Sequence, residues 1–214
     1  MKLFVSEIFY SIQGESLYTG LPCAFVRLSG CNLRCRYCDT TYAHENGQPM
    51  TVEDIICALE AYQCPLIEVT GGEPLMQAAT PELITRLLER GYTVLLETNG
   101  TFNIQTVDTR CVRIMDIKCP GSGEADKTAF SNFNQLLPED QVKFVITDRQ
   151  DYEYAKNLLL ERWQGAPPFA VLASPAEDLI DPAALAEWIL KDHLPVRLQL
   201  QLHKILWPAS LRGI

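Results

Sequence analysis

Short apolar runs alternate with amphipathic stretches along most of this chain, and that alternation limits the folds it can adopt. Candidate strands lie at residues 24–28, 66–70, 93–97, 112–117, 142–146, 169–173 and 196–200. Candidate helices lie around 51–62, 80–90, 151–164 and 182–192. Strand runs with little polar interruption are typical of parallel sheets that are covered on both faces. We therefore predict an α/β fold, an incomplete and open (β/α) TIM-like barrel with mostly parallel strands, built from right-handed βαβ units.

Composition bounds the domain number, the compartment and the class of partner. With 214 residues and 47% hydrophobic content, the chain can bury one core, and we expect residues 1–214 to form a single domain. The net charge of −9 repels phosphate backbones, which disfavours nucleic acid as a partner. No uncharged run reaches the roughly 20 residues of a membrane span, and the N-terminus does not read as a signal peptide. We therefore expect a cytoplasmic protein that does not associate with membranes.

Three cysteines stand close together in the loop that follows the first predicted strand. Cys31, Cys35 and Cys38 have C-x3-C-x2-C spacing within eight residues, and the residues between them are largely polar. Thiolates at this spacing can bind one iron–sulfur cluster from a single loop. Three ligands for four irons leave one iron open, as the unfilled position of a catalytic zinc site is open to its substrate. The loop therefore predicts a cluster with one accessible iron.

Two other interpretations of the cysteine loop remain open from the residues alone. A structural zinc site needs four ligands, and the nearest further candidate, His44, lies six residues beyond Cys38. Three unrelated core cysteines would not be expected in so polar a loop. The other cysteines are predicted to have no part in the site. Cys23, Cys57, Cys64 and Cys111 border strands or lie on a helix and are expected to pack in the core, and Cys119 is assigned no role.

Polar residues also follow the later strands, at the carboxyl-terminal end of a parallel barrel, where active sites lie. Gly71 and Gly72 form a strand-to-helix turn, and two glycines let the backbone approach a ligand closely. Glu97 ends the next strand, where its carboxylate faces either a pocket or a buried arginine. Lys118 ends the strand after that, where a surface lysine is the alternative interpretation.

The cysteine spacing together with the turn Gly71-Gly72-Glu73-Pro74 resembles the radical S-adenosylmethionine (AdoMet) superfamily. The resemblance implies a [4Fe–4S] cluster on Cys31, Cys35 and Cys38, with AdoMet on the open iron. It also implies that the residues contacting AdoMet are Tyr37, Cys38, Asp39, Gly71, Gly72, Glu73, Glu97, Asp116, Lys118 and Ser174. Among these, Lys118 suits the carboxylate of AdoMet by its charge.

The N-terminal segment narrows the resemblance to one family. Residues 7–15 read Glu-Ile-Phe-Tyr-Ser-Ile-Gln-Gly-Glu, and this opening closely resembles that of the 7-carboxy-7-deazaguanine synthases. The segments 18–22, 38–40 and 201–204 extend the likeness over nearly the whole chain. The chain departs from the family at Ser16, where a glycine is usual, at Leu202, where a threonine is usual, and in its extension to Ile214.

That family converts 6-carboxy-5,6,7,8-tetrahydropterin to 7-carboxy-7-deazaguanine, a queuosine precursor, with loss of ammonia. The resemblance implies that this chain is such a lyase and that Thr40 supplies a hydroxyl to Mg²⁺, a hard ion that prefers oxygen ligands. It places substrate contacts at Ile12, Gln13, Gly14, Glu15, Arg27, Thr70 and His203. Arg27 suits the substrate carboxylate because its guanidinium is a planar fork. For His203, a satisfied histidine at a strand end is the alternative.

The resemblance also implies partners, and two further activities stay open. It implies a flavodoxin-like electron donor and a homodimer. A glycyl-radical-enzyme activase shares the cysteine spacing and the glycine turn but acts on a polypeptide, and it has no reason to keep the N-terminal segment. A non-catalytic zinc or iron–sulfur binding module would not cleave AdoMet.

Overall fold

One continuous sheet runs through the structure, a computed structural model that describes residues 1–45, 47–207 and 213. The strands found in those residues are β1 (Lys2–Ile12), β2 (Pro22–Leu28), β3 (Gln48–Thr51), β4 (Leu66–Gly71), β5 (Thr93–Thr98), β6 (Val112–Ile117), β7 (Gln141–Ile146), β8 (Ala170–Pro175) and β9 (Arg197–Leu198). The α-helices are α1 (Val52–Glu60), α2 (Thr80–Glu89), α3 (Arg149–Trp163), α4 (Pro182–Lys191) and α5 (Leu202–Leu206). No helix within these ranges combines the length and the apolar content that a membrane span requires.

The sheet is mostly parallel, as the sequence predicts. Its strand order is β3-β1-β2-β4-β5-β6-β7-β8-β9, and all neighbours from β2 to β9 run parallel. Only β1 reverses the direction, because it pairs antiparallel with both β2 and β3. Helices α1 to α4 connect successive parallel strands, so the predicted open (β/α) architecture is confirmed.

Local sequence signals explain where several helices begin. The Thr51 hydroxyl accepts a hydrogen bond from the backbone N–H of Asp54 at 3.1 Å, and the Asp54 carboxylate accepts one from the Thr51 N–H at 3.0 Å. This capping box satisfies N–H groups that a helix start leaves unpaired. At α4, the Asp181 carboxylate accepts a hydrogen bond from Ala183 N–H, and Pro182 occupies the first turn, where its missing N–H is not needed.

The two faces of the sheet have different neighbours. Apolar residues such as Ile67 and Val69 of β4 pack into the core with α1 and α2, while β6 to β9 pack in the same way with α3 and α4. Because side chains alternate along a strand, the residues between them face the other way. Those opposite residues line one cavity that the curved sheet encloses: Phe25, Arg27, Glu68, Thr70, Glu97, Ile114, Asp116, Lys143 and Val145.

Several elements differ from the sequence prediction. The strands β1 and β3 were not predicted, and the strand expected at 196–200 is reduced to Arg197–Leu198. His203 lies in the short helix α5 and not at a strand end, so that interpretation of its position is wrong. The region 118–141, for which the sequence makes no prediction, contains short 3-10 helices before β7 begins.

Residues 13–17, which we call the floor segment, leave β1 and cross to the far edge of the sheet. The Ser16 N–H donates to the Gln199 side chain at 2.6 Å, and the Leu17 N–H donates to the Gln141 side chain at 2.9 Å. The Gly14 carbonyl accepts a hydrogen bond from Leu202 N–H at 3.0 Å. Segments from opposite edges of the open sheet are thus joined beneath the cavity.

Candidate active site

A cavity of about 1070 Å³ lies at the carboxyl ends of the parallel strands and extends down to the floor segment. Most residues that the sequence predicts for the site line this cavity. They are Ile12, Gln13, Gly14, Glu15, Arg27, Cys31, Cys35, Tyr37, Cys38, Asp39, Thr40, Thr70, Gly71, Gly72, Glu97, Asp116, Lys118 and His203. Glu73 and Ser174 are not among the lining residues. The Ser174 hydroxyl is buried and donates to the Gln199 carbonyl at 3.0 Å.

The cysteine loop is fixed to its neighbours by backbone hydrogen bonds. Gly30 N–H donates to the Ala43 carbonyl at 2.8 Å, and Arg36 N–H donates to the Ser122 carbonyl at 3.0 Å. The thiols of Cys31, Cys35 and Cys38 are free and half-buried, and all three open on the cavity. In the described ranges, no three His, Cys, Asp or Glu side chains are grouped to hold a single metal ion.

Three soft thiol ligands on one cavity wall fit an iron–sulfur cluster, whose irons take a thiolate each. Burial raises the pKa of Cys35 to about 11, although Lys118 opposes that rise, while the negative charges of Asp116, Cys38 and Cys31 add to it. Cys38 Sγ also lies 3.6 Å from His44 Nε2.

The glycine turn brings the backbone of β4 against the cysteine loop. Gly71 has a φ of 137°, and a Cβ on it would stand 2.0 Å from the Leu28 carbonyl oxygen. A Cβ on Gly72 would stand 2.2 Å from the Gly30 carbonyl oxygen and 2.8 Å from Cys31 Cβ. Only glycine therefore allows this turn to lie against the loop that carries the cysteines.

Glu73 supports that turn from below. Its buried carboxylate accepts hydrogen bonds from Leu75 N–H at 2.9 Å, from Asn99 N–H at 2.6 Å and from the Thr98 hydroxyl at 2.8 Å. Burial raises the pKa of Glu73, and these three donors oppose the rise. Glu73 thus joins the turn after β4 to the end of β5.

The part of the cavity around Asp116 and Lys118, where the sequence predicts contacts with AdoMet, carries paired charges. Asp116 Oδ2 lies 2.9 Å from Lys118 Nζ and 3.3 Å from Lys143 Nζ. Asp116 Oδ1 is buried and has no hydrogen-bond partner among the described residues. A buried acceptor without a partner is costly, so this oxygen is suited to a donor on a bound ligand. AdoMet offers an amino group and ribose hydroxyls as donors, and its carboxylate complements Lys118, so the residues fit this cofactor.

Arg27 reaches the cavity from β2 in a fixed orientation. Its Nε lies 2.6 Å from Glu7 Oε1, which also accepts a hydrogen bond from the Tyr42 hydroxyl at 2.8 Å. The guanidinium lies over the rings of Phe9 and Tyr42, with the guanidinium carbon 5.4 and 5.9 Å from their centroids. Burial opposes its charge, but Tyr42 and Glu7 raise the pKa of Arg27 above its usual value.

Thr40 and Asp39 place oxygen atoms beside the cysteine loop. The Thr40 hydroxyl donates to Asp39 Oδ1 at 2.9 Å, and Asp39 Oδ2 lies 2.9 Å from Lys204 Nζ. A hydroxyl oxygen keeps acceptor capacity when it donates, so Thr40 fits a hard cation such as Mg²⁺.

The floor segment meets polar residues from several strands. The Gln13 amide donates to Glu68 Oε2, and Glu15 accepts from Gln199 Nε2 at 3.1 Å and from Gln201 Nε2 at 2.8 Å. A Cβ on Gly14 would stand 2.1 Å from His203 Nδ1, so the glycine allows α5 to approach the floor. Ile214, the last residue of the extension, lies outside the described residues, whereas Gly213 lines the cavity.

Sequence reasoning missed Glu68 and Lys143, two buried charged residues of the cavity. Glu68 is 5% exposed and Lys143 is 4% exposed. Each is a charged residue inside an apolar strand, at a position that alternates with core residues. That pattern was the available signal, since a charge in a buried strand needs a partner or a function.

Comparison with known proteins adds sequence evidence to this geometry. The sequence model of the Radical SAM superfamily matches residues 25–110. The 7-carboxy-7-deazaguanine synthase of Chlorobaculum tepidum is 46% identical over 99% of this chain and 97% of its own length. The synthase of Koribacter versatilis is 41% identical over 98% of this chain and 99% of its own length.

Solved structures support the fold. A crystal structure of QueE from Escherichia coli matches with a TM-score of 0.78, covering 95% of both chains at 22% identity. Streptococcus suis SuiB bound to S-adenosylmethionine matches with a TM-score of 0.51 over 80% of this chain and 44% of its own, at 11% identity.

Proposed function

The chain belongs to the family of 7-carboxy-7-deazaguanine synthases, which are radical AdoMet enzymes, and we propose that it performs that family's reaction. It converts 6-carboxy-5,6,7,8-tetrahydropterin to 7-carboxy-7-deazaguanine with loss of ammonia. Its cofactors are a [4Fe–4S] cluster, AdoMet and Mg²⁺. The observation that supports this most is a single cavity that holds three cysteines, the glycine turn and Arg27 together.

The residues present suit each group in turn. Cys31, Cys35 and Cys38 would hold the cluster, with Thr40 as the protein ligand of Mg²⁺. The cofactor contacts would come from the glycine turn, Asp116 and Lys118, and from the other residues that the resemblance assigns. When bound, the cluster would supply one electron to AdoMet, and AdoMet cleaved in this way would supply the radical chemistry that removes a hydrogen atom from the substrate.

The chain's own contribution is to bind, orient and enclose. Arg27 presents the free side of its guanidinium to the substrate carboxylate, since Glu7 occupies its Nε side. Ile12, Gln13, Gly14 and Glu15 would line the heterocycle, with Thr70 and His203 as further substrate contacts. The walls of the cavity, closed further by bound cofactor and substrate, would limit the access of water to reactive species, which water would otherwise quench.

The electron donor and the assembly are further parts of the proposal. Arg34 and Arg36 are exposed on the cysteine loop and place positive charge beside the cluster in a chain whose net charge is −9. A flavodoxin-like donor with an acidic face would be attracted there. We also propose that the protein is cytoplasmic, which its eight free thiols support. Likeness to the family supports a homodimer.

The direct test is anaerobic incubation of the reconstituted protein with dithionite, AdoMet and the tetrahydropterin, followed by mass analysis. We expect 7-carboxy-7-deazaguanine, methionine and 5′-deoxyadenosine. Cleavage of AdoMet without the deazaguanine would contradict the assigned substrate and favour an activase. No cleavage, with bound zinc and no brown colour, would favour a metal-binding module.

A paired substitution tests the cluster site in the same assay. Cys35→Ala should abolish both the absorbance near ~400 nm and AdoMet cleavage, because the cluster loses one of its three protein ligands. Cys57→Ala is the matched control. The prediction that Cys57 packs in the core is wrong, because the buried face of α1 is formed by Val52, Ile55, Ile56 and Leu59; Cys57 is exposed and does not line the cavity. A Cys35→Ala protein that keeps its cluster and full activity would move the cluster to other residues.

A further inference from the structure

Lys143 of β7 lies between the proposed substrate side of the cavity, which includes Glu15, and the proposed AdoMet side, which includes Glu97 and Asp116. Its side chain is 5% exposed, and its Nζ lies 2.9 Å from Glu15 Oε2 and 3.3 Å from Asp116 Oδ2. It also forms an ion pair with Glu97. The three carboxylates come from the floor segment, β5 and β6, so one ammonium group connects parts of the chain that are far apart in sequence.

The ammonium group is held in its charged form by these partners. Burial alone would lower the pKa of Lys143, but Glu15, Glu97 and Asp116 raise it well above its ordinary value. In return, Lys143 lowers the pKa of Glu15 against the effect of burial. The Lys143 ammonium group has three N–H donors and three carboxylate partners, so its whole donor capacity is taken by the protein.

Glu68 is a fourth carboxyl group in the cavity, and its raised pKa reflects burial and the negative charge of its neighbours. Burial, together with the charges of Glu97 and Glu15, raises the pKa of Glu68 to about 8. Lys118 pairs with Asp116 but has no ion pair with Glu15 or Glu97 in the described part of the chain. Removing Lys143 would therefore deprive Glu15 and Glu97 of the one ammonium group, among the residues that the structure describes, with which both of them form an ion pair.

We propose that Lys143 is a positioning residue that fixes both halves of the active site at once. It holds Glu15 on the substrate side together with Glu97 and Asp116 on the AdoMet side. The inference rests on the proposed function, because that function assigns the two sides to two different small molecules. It adds a cavity residue whose ammonium group is used by protein carboxylates and which acts on the binding of both molecules through those carboxylates.

The consequence of removing the charge follows from electrostatics in a buried site. Breaking a buried ion pair leaves an uncompensated charge, so a carboxylate must take up a proton or turn away. With Lys143→Met, Glu15 and Glu97 would separate, and the contacts on both sides would be lost together. With Glu15→Gln, only the substrate side loses its charged acceptor.

The test measures equilibrium binding of AdoMet and of the tetrahydropterin, each separately, to the reconstituted holoenzyme. The variants are Lys143→Met, Lys143→Arg, Glu15→Gln and the double variant Lys143→Met/Glu15→Gln. Lys127→Met is the control, since Lys127 is 53% exposed and, within the described residues, forms an ion pair only with neighbouring Asp126.

We expect Lys143→Met to weaken both affinities by at least about tenfold, equivalent to about 1.4 kcal/mol each. Glu15→Gln should weaken substrate binding alone, and Lys127→Met should change neither. The double variant should recover a large part of the AdoMet affinity, because it removes one of the repelling charges. A role in packing alone predicts no such recovery.

If Lys143→Met does not fold, Lys143→Arg decides the question. Arginine keeps the charge, but its planar fork cannot meet three carboxylates at one point, so both affinities should still fall by several fold. Affinities within about twofold of wild type in either variant, or no recovery in the double variant, would overturn the inference. If the wild type fails to bind the tetrahydropterin, the proposed function fails instead, while the AdoMet measurements still test Lys143.

Discussion

Arg27 is oriented before any ligand arrives. The Nε side of its guanidinium is taken by Glu7, and the aromatic rings of Phe9 and Tyr42 lie against its plane. An arginine that is already fixed loses little side-chain entropy when it binds a carboxylate. The sequence indicates the guanidinium but cannot show the three residues that aim it, since two of them lie on β1 and one lies beyond the cysteine loop.

Replacing Arg27 by lysine tests this arrangement. A lysine at this position would keep the charge but not the fork, so we expect substrate affinity to fall by about 1.5–3 kcal/mol, the weight of a hydrogen bond to a charged group. AdoMet affinity should not change. Binding of each molecule to Arg27→Lys and to the exposed control Arg110→Lys is the measurement. Unchanged substrate affinity would give Arg27 a structural role only.

Glu68 makes the stability of the protein depend on pH. Burial and its acidic neighbours raise the pKa of Glu68 from 4.5 to about 8. The folded state therefore holds this proton more tightly than the unfolded state, and the resulting stability is lost as the pH rises toward the folded value. The loss is at most about 1.4 kcal/mol per pH unit.

Glu68→Gln should remove this dependence, because glutamine does not titrate. Urea unfolding of the wild type should give a free energy that falls between about pH 6 and about 8 relative to the variant, then runs parallel to it. Glu82→Gln, an exposed change on α2, should follow the wild type. Curves for Glu68→Gln and wild type that stay parallel throughout would show that Glu68 is already ionised at pH 6.

The residues that sequence reasoning found and missed differ in kind. Cysteines in a loop carry a spacing that can be recognised, and so do adjacent glycines. Lys143 and Glu68 have no such spacing, because each stands alone in its strand and its partners come from the floor segment and from other strands. Their meaning depends on which strands are neighbours, which a single sequence does not state.

At the scale of elements, the glycine turn after β4 is the place where the fold most strictly requires a particular residue, glycine at position 71. Gly71 has a φ of 137°, and a Cβ there would meet the Leu28 carbonyl at 2.0 Å. Leu28 belongs to β2 and pairs with Gly71 in the parallel ladder, so its carbonyl cannot withdraw without breaking that pairing.

Gly71→Ala should therefore destabilise the protein more than a glycine substitution elsewhere. Gly91 is the matched control, because it also has a positive φ, 85°, but nothing lies within 4 Å of its added Cβ. Gly91→Ala should cost about 1–2 kcal/mol from its backbone conformation alone. Gly71→Ala should cost more and should also weaken AdoMet binding. Equal losses in thermal unfolding, with AdoMet affinity retained, would contradict the contact.

The strands and helices that the sequence predicts are those with a strong local pattern. Strands β4 to β8 are covered on the helix side and read as apolar runs, and most helices carry start signals. By contrast, β1 has the burial pattern of a strand with one exposed side, and charged and hydroxyl residues interrupt it. The helix α5 has five residues, which is too short for a periodic pattern.

At the scale of the whole molecule, the floor segment connects the chain after β1 with the chain after β9, which the open sheet does not bring together. β1 and β9 lie on opposite parts of the strand order, yet Ser16 after β1 bonds to Gln199 after β9. Ser16 has a φ of 65°, a conformation that favours glycine, which accounts for the glycine usual in the family. Strand and helix patterns predict the sheet, but they contain no information on which loop crosses it.

Gln199 is the residue on which this connection depends most. It is 4% exposed, its Oε1 accepts from Ser16 N–H at 2.6 Å, and its Nε2 donates to Glu15 at 3.1 Å. Gln199→Ala would leave a buried N–H without a partner, which costs about 1–3 kcal/mol. Because Glu15 loses a donor at the same time, we expect the KM for the tetrahydropterin to rise as well.

The control is Gln105→Ala, an exposed glutamine in the turn after β5, which should alter neither quantity. Chemical denaturation measures the first effect and steady-state kinetics the second. A loss of stability with an unchanged KM would mean that the floor segment supports the fold without shaping the substrate side. Unchanged stability would mean that the segment keeps its place without Gln199, through the Gly14–Leu202 backbone bond and the bonds of Glu15 and Leu17 to Gln201 and Gln141.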